Sequence, residues 1–250
     1  MAQIDSTSPY LLHSGDHPSL LLLCDHAGNR VPAELAGLGM DQGALRRHIA
    51  WDPGALGVAL ALARRLDAPL LGCLDSRLLA DPNRAPDHPE LILAQSDGVF
   101  VPANERLDEA AREARLERFH RPYHAAIAAA VAARRQAGLQ PFLLSIHSFE
   151  PVFAGVPRPW PVGVLWKQDE RFAAPLIAAL EQEVMPVGNN QPYDGRVALG
   201  HTLEAHAIAH GLPHLLVEIR NDGILDAAGQ ALWADRLFIA LHGALPALMR

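Results

Sequence analysis

Short uninterrupted apolar runs, each bounded by turn residues and separated by helical stretches, constrain this 250-residue chain more than any other feature. Ser19–Cys24 reads SLLLLC, with Pro18 before it and the turn-like DHAGN after it. So short a run between such breakers favours a strand buried on both faces over a buried helix. The runs APLLGCL (Ala68–Leu74), PFLLSI (Pro141–Ile146), VGVLW (Val162–Trp166) and HLLVEI (His214–Ile219) read the same way, and Met185–Val187 is a further short candidate. Helices are expected between them. Asp52 as N-cap and Pro53 in the first turn open one that runs to about Leu66. Segments rich in Ala, Leu, Arg and Glu predict others over Asn104–Arg118 and Tyr123–Arg135. Glu170–Glu183, Thr202–His210 closed by Gly211, and Leu225–Leu241 complete the set. Strands alternating with helices over the whole length call for an α/β fold in one domain, residues 1–250, with a mixed, mainly parallel sheet covered on both faces.

Composition removes several classes of function. Half the residues are hydrophobic and a fifth are charged, enough apolar material for a core, so general disorder is excluded. The formal net charge is −7 and no basic cluster stands out, which argues against a nucleic-acid partner. Two cysteines make no disulfide framework, and both lie in apolar runs as buried thiols. The stretch MAQIDSTSPYLLHSGDHP is polar and lacks the charged and apolar regions of a signal peptide. No apolar run reaches the roughly 18 residues of a membrane helix. The expectation is a cytoplasmic protein without a membrane partner; the oligomeric state is left open.

Ligands of open α/β sheets bind beyond the carboxyl ends of the strands. Asp25 and His26 follow the first run, and Asp75, Ser76 and Arg77 the second, with Asp81, Asn83 and Arg84 on the loop beyond. His147 and Ser148 follow PFLLSI, and Glu218 and Arg220 end the last strand. Two histidines, a glutamate and three arginines at one sheet edge form the pattern of a metal hydrolase acting on an anionic substrate. A competing reading keeps Glu218 and Arg220 as a structural ion pair, since residues two apart in a strand share a face. His206 and His210 have the spacing of two zinc ligands on a helix, but Ala207 stands where such a motif places its glutamate. His120 and His124 are also four apart; Pro122 between them marks a helix start rather than a site. The chain lacks the G-x-S-x-G elbow of serine hydrolases and any Walker or Rossmann glycine signature.

Beyond this pattern, LLSIHSF (Leu143–Phe149) resembles the strand of zinc carboxypeptidases that supplies their last metal-ligating histidine. VEIRND (Val217–Asp222) resembles the strand carrying their catalytic glutamate, and ADPNRAP (Ala80–Pro86) the Asn-Arg loop of aspartoacylase-type zinc enzymes. Over residues 19–225 the chain resembles the N-formylglutamate amidohydrolase family. CDHAGNRVP, WDPGA, SRLLADPNRAP, SIHS and LGHTLEAHAIAHGLPHLLVEIRND occur here in the family's order. The resemblance implies a phosphorylase/hydrolase-like three-layer α/β sandwich, as in zinc exopeptidases. It also implies hydrolysis of N-formyl-L-glutamate to formate and glutamate, the last step of one histidine-degradation route.

By the same resemblance a divalent metal, zinc, is held by His26 and His147. The third ligand of the H-x-x-E pattern falls on Asn29, a poor zinc ligand, so Asp25 or Asp52 stands as the alternative source of a carboxylate. Glu218 is then the general base and Arg77 the cation that stabilises the oxyanion. Asn83 and Arg84 hold a substrate carboxylate, and Arg220 holds a second one or orients Glu218. Two other functions remain open at this point. One is hydrolysis of another N-acyl amino acid or a small peptide; the other is metal-free binding of a small molecule on the same fold.

Overall fold

In a computed structural model, which describes residues 8–244 and 246, the apolar runs assemble into one seven-stranded sheet. Residues 1–7 of the polar amino-terminal stretch lie outside the described residues. The strands are β1 (Tyr10–His13), β2 (Leu20–Cys24), β3 (Leu70–Cys73), β4 (Phe142–Phe149), β5 (Val162–Leu165), β6 (Val187–Asn189) and β7 (His214–Arg220). Their order across the sheet is β1-β3-β2-β4-β7-β5-β6. The central four are parallel, β1 runs antiparallel to β3, and β5, itself parallel to β6, runs antiparallel to β7.

The helices are α1 (Ala55–Leu66), α2 (Glu109–Arg115), α3 (Arg121–Gln136), α4 (Ala173–Leu180), α5 (His201–His206) and α6 (Ala227–Ala244). Alternation along β2 assigns them to two sides. Leu20, Leu22 and Cys24 point into a core shared with α1, α4 and α6. Leu21 and Leu23 point into the opposite core, filled by Tyr123, Ile127 and Val131 of α3 and by Leu203 of α5. Each fully buried leucine contributes about 1.5–3 kcal/mol relative to exposure, so a strand apolar at every position stabilises both layers. A third cluster, with Leu38, Ile49, Leu78, Val101 and Phe119, packs the long connections after β2 and β3 against each other. The result is the three-layer α/β sandwich, with those connections gathered at the carboxyl ends of the strands. No helix among the described residues is long and apolar enough to cross a membrane.

The departures from the expected boundaries have local causes. The strand expected over Pro141–Ile146 continues to Phe149, because Ser145, His147 and Ser148 find polar partners and stay buried. Asp52 does not cap α1 through its side chain; only its carbonyl accepts, from Ala55 N, and its carboxylate is free to turn inward. Gly54 serves as N-cap instead, at φ 83°, where a Cβ would stand 2.2 Å from the Ile224 carbonyl oxygen. The helix expected over Asn104–Arg118 is short and passes through a π-turn at Leu116–His120 before α3. Thr202–His210 divides into α5 and a 3-10 turn at Ile208–His210, closed by Gly211 at φ 63°.

Candidate active site

Parallel pairing of β2 with β4, Leu23 opposite Ser145, carries the two chain segments that deliver His26 and His147 side by side. Their ring centroids are 5.0 Å apart, with the planes at 76°. Both Nδ1 atoms face Asp52 Oδ2, at 3.4 Å from His26 and 2.9 Å from His147. Each Nε2 is held from behind by a different carboxylate: His26 by Asp81 Oδ1 at 2.8 Å, and His147 by Asp25 Oδ2 at 2.9 Å. Asp25 is anchored in turn, accepting from the Tyr123 hydroxyl at 3.0 Å and from Ser145 Oγ at 3.2 Å.

Every one of these groups is buried. Burial works against charge, yet the carboxylates raise His147 well above the usual imidazole value, and Asp81 and Asp52 raise His26 despite Arg77. Burial also opposes ionisation of Asp25, but the His147 hydrogen bond and charge outweigh it and bring it to about 2. Arg77 closes the array, donating to Asp81 Oδ2 from Nε at 3.1 Å and from Nη2 at 2.7 Å. Its Nη1 makes only a 3.7 Å approach to Asp52 Oδ1 and keeps donor capacity.

His26, Asp52 and His147 offer one ligand atom each within 4.8 Å of one another. Asp52 Oδ1 is buried and accepts no hydrogen bond. Two imidazoles and a carboxylate, with second carboxylates behind the imidazoles, form a donor set that fits a divalent metal such as zinc.

Glu218 sits on β7 directly opposite His147 in the parallel register. Its side chain is 7% exposed, and Oε2 is buried without a partner. Burial pushes the carboxyl up, His147 pulls it back and Asp52 raises it again, to a value of about 7. These groups line a cavity of about 700 Å³ that also receives Asn83, Arg84, His48, Arg158 and Tyr193. Asn83 Oδ1 accepts from Thr202 N at 3.2 Å, which pins the side chain and leaves its Nδ2 to donate. Arg84 reaches Glu90 at 3.1 Å on the outer part of the loop.

Six of the expected residues, His26, His147, Glu218, Arg77, Asn83 and Arg84, thus meet in one cavity. Two do not. Asn29 points away: its Nδ2 donates to the Leu45 carbonyl at 2.8 Å, and it is not among the cavity-lining residues. The cause is backbone pairing, since Gly28 N and Arg30 N bond to Cys73 and Leu74 carbonyls and fix the segment along the end of β3. The carboxylate beside the two histidines is Asp52, and Asp25 stands behind His147. Arg220 forms no ion pair with Glu218. Its Nε donates to Asp222 at 2.9 Å and its Nη1 to the Arg158 and Pro159 carbonyls, outside the cavity. The cavity arginine on that side is Arg158, 9% exposed, which donates to the Tyr193 hydroxyl at 3.2 Å. Sequence reasoning passed over Arg158, Tyr193 and His48, which sit on irregular segments without periodicity. In the sequence Asp81 reads only as a loop residue, and its neighbours Asn83 and Arg84 are the signal that points to it.

The chain is similar to a gene product of Agrobacterium tumefaciens of known crystal structure. The two are 35% identical with a TM-score of 0.91, and the match covers 97% of each chain. It also shares its fold with the N-formylglutamate amidohydrolase from Ralstonia eutropha JMP134, at 20% identity and a TM-score of 0.72, over 96% of this chain and 97% of that one. No curated protein sequence matches it. The N-formylglutamate amidohydrolase family profile matches residues 18–225, most of the chain, and the chain therefore belongs to that family.

Proposed function

We propose that this amidohydrolase cleaves the formyl amide of N-formyl-L-glutamate, releasing formate and glutamate, with a divalent metal held by His26, Asp52 and His147. The observation that carries the reading is Glu218: a buried, unpartnered carboxylate with a value of about 7, beside the His–Asp–His group and inside a cavity rimmed by arginines. A group tuned near neutrality takes and returns protons efficiently at working pH. When bound, zinc supplies Lewis acidity that polarises an amide carbonyl and acidifies a water. Glu218 accepts the proton of the attacking water and passes it to the leaving nitrogen. Arg77 Nη1 donates to the carbonyl oxygen as charge develops there. Asp81 and Asp25 hold the two imidazoles in a single orientation, so neither ring must reorganise.

A substrate with two carboxylates needs two cationic contacts. Arg84, with the free amide of Asn83, supports one, and Arg158, pre-positioned over the Tyr193 ring at 4.8 Å, supports the other in place of Arg220. The metal-free binding alternative rested on Asn29, and Asp52 removes that motive. Two free thiols, Cys24 and Cys73, support a cytoplasmic setting. The test is formate release from N-formylglutamate, N-acetylglutamate and N-formylleucine by chelator-treated and zinc-restored protein. Preference for N-formylglutamate restored by zinc is expected. Equal turnover in the presence of chelator refutes the metal, and equal rates on N-formylleucine refute the two-carboxylate substrate.

A further inference from the structure

A second group of imidazoles lies on the α3–α5 side of the sheet, and nothing in the proposed reaction uses it. His120 ends the π-turn before α3, His124 follows one helical turn later, and His201 and His206 begin and end α5. The His120 and His124 rings stack at 4.3 Å, and the His124 ring lies 5.0 Å from His201 and 5.1 Å from His206.

The hydrogen bonds give this cluster a direction. His120 Nε2 faces the Arg84 carbonyl at 2.9 Å and His124 Nε2 faces the Pro82 carbonyl at 2.9 Å. Backbone carbonyls only accept, so both rings carry their proton on Nε2 and turn a bare Nδ1 inward. His120 Nδ1 is buried and has no partner, in a residue 2% exposed. His124 Nδ1 accepts from His206 Nε2 at 2.8 Å. The His201 ring makes no hydrogen bond among the described residues. His120, His124 and His201 offer nitrogens within 4.8 Å of one another.

We infer that His120, His124 and His201 form a second metal site, distinct from the His26–Asp52–His147 group, that takes a late divalent transition ion such as zinc. His124 binds through the Nδ1 lone pair that now accepts from His206, so the ion takes the place of that hydrogen bond. Tetrahedral zinc with bonds of about 2.0–2.1 Å holds its ligand nitrogens about 3.3 Å apart. The three nitrogens must close to that spacing from within 4.8 Å, and His201, partly exposed and without a ring hydrogen bond among the described residues, is the ring with room to move. An imidazole set without carboxylates selects zinc, nickel or copper over magnesium or calcium. Burial keeps all four rings below the ordinary imidazole value, and neighbouring imidazoles lower His120, His124 and His206 further, His124 to about 3 and His206 to about 4. Neutral imidazole is the form that binds such an ion. The carbonyls that orient His120 and His124 belong to the loop carrying Asn83 and Arg84, and His201 N donates to the Asn83 backbone carbonyl at 3.1 Å. An ion here braces that loop against α3 and α5. Binding itself is independent of the catalytic reading; only an effect on substrate affinity rests on it.

Chelator-stripped full-length protein, free of any tag, is titrated with zinc alone, and metal content is measured after desalting. Two equivalents are expected. Asp52→Asn removes one, and His201→Asn removes the other or weakens it at least about tenfold. Exposed His210, outside the cluster, is the control, and His210→Asn leaves both equivalents. X-ray absorption at the zinc edge of Asp52→Asn protein then shows imidazole scattering that His201→Asn abolishes. If Asp52→Asn protein binds no zinc, or if its remaining equivalent survives both His201→Asn and His120→Gln, the second site is overturned. His201→Asn decides alone if His120→Gln does not fold, since the His201 ring carries no hydrogen bond. Retention of both equivalents by Asp52→Asn refutes the catalytic metal assignment and leaves the second site to the His201→Asn result.

Discussion

Replacing Glu218 by Gln tests whether this carboxylate serves chemistry at the expense of stability. The side chain is buried, its Oε2 lacks a partner, and its pKa is about 7 against an ordinary 4.5. A carboxyl raised in the folded state binds its proton more tightly there than in the unfolded chain. Below about pH 4.5 both states are protonated and the group is neutral to stability; above about pH 7 the folded protein carries a buried charge that the unfolded chain solvates. A gap of roughly 2.5 pH units at about 1.4 kcal/mol each corresponds to about 3 kcal/mol of destabilisation at pH 8. Glu218→Gln keeps the shape and removes the charge. In metal-free protein at about pH 8 it should raise Tm by roughly 5–10 °C, and near pH 5 by little. Hydrolysis by the zinc-restored variant should fall about a hundred-fold or more. Thermal unfolding in chelator at both pH values, with initial-rate kinetics, makes the comparison. A variant less stable than the parent at pH 8, or shifted equally at both pH values, would mean that Glu218 is an ion-pair partner, and the argument fails.

The other expectations are simpler to measure. Asp52→Asn should lose the zinc equivalent of the catalytic site and about a thousand-fold in activity, by metal analysis and rate, because it removes the carboxylate that faces both Nδ1 atoms. Asp81→Asn leaves the ligands in place but weakens the grip on His26, so zinc affinity should fall about 10–100-fold in a competition titration with a chelator. Arg84→Lys should raise KM for N-formylglutamate about tenfold with kcat nearly unchanged, since a ground-state clamp contributes uniform binding. Asn29→Ala should leave zinc content and kcat intact and cost about 1 kcal/mol in denaturant unfolding through its bond to Leu45.

The interior strands were legible because double burial writes itself as unbroken apolar sequence, and Leu20–Cys24 is buried at every position. Polar residues broke the signal. Ser145, His147 and Ser148 ended the apolar pattern in β4, while carboxylates from distant segments let the strand run on to Phe149. Asp52 carried two meanings. Asp followed by Pro is a helix-start signal, and the same side chain is what two buried imidazoles recruit. Strand-end logic found His26, Arg77, His147 and Glu218 because the fold brings those ends together. It could not find Arg158, which reaches the cavity from the irregular segment before β5, nor the separation of Arg220 from Glu218, because Arg220 is the last residue of β7, where the chain turns away. β1 was missed for its length: four residues at the sheet edge, only two fully buried, give no period to read. The meeting of His120 and His124 with His201 and His206 depends on α3 packing beside α5, and spacing within either helix is silent about it.

The strand order also sets a timetable for synthesis. β2 occupies the middle of the sheet, yet its β4 partner begins 122 residues later, with Leu20 opposite Phe142. At about 5–20 residues per second, the ribosome takes roughly 6–25 s to deliver that partner after the leucine run has emerged. Throughout that interval SLLLLC, uncharged and free of proline, has one edge unclaimed, and it matches the kind of segment that nascent-chain chaperones cover. Such distant pairing makes for slow folding, and that one stretch stays open along an edge until residue 142 arrives.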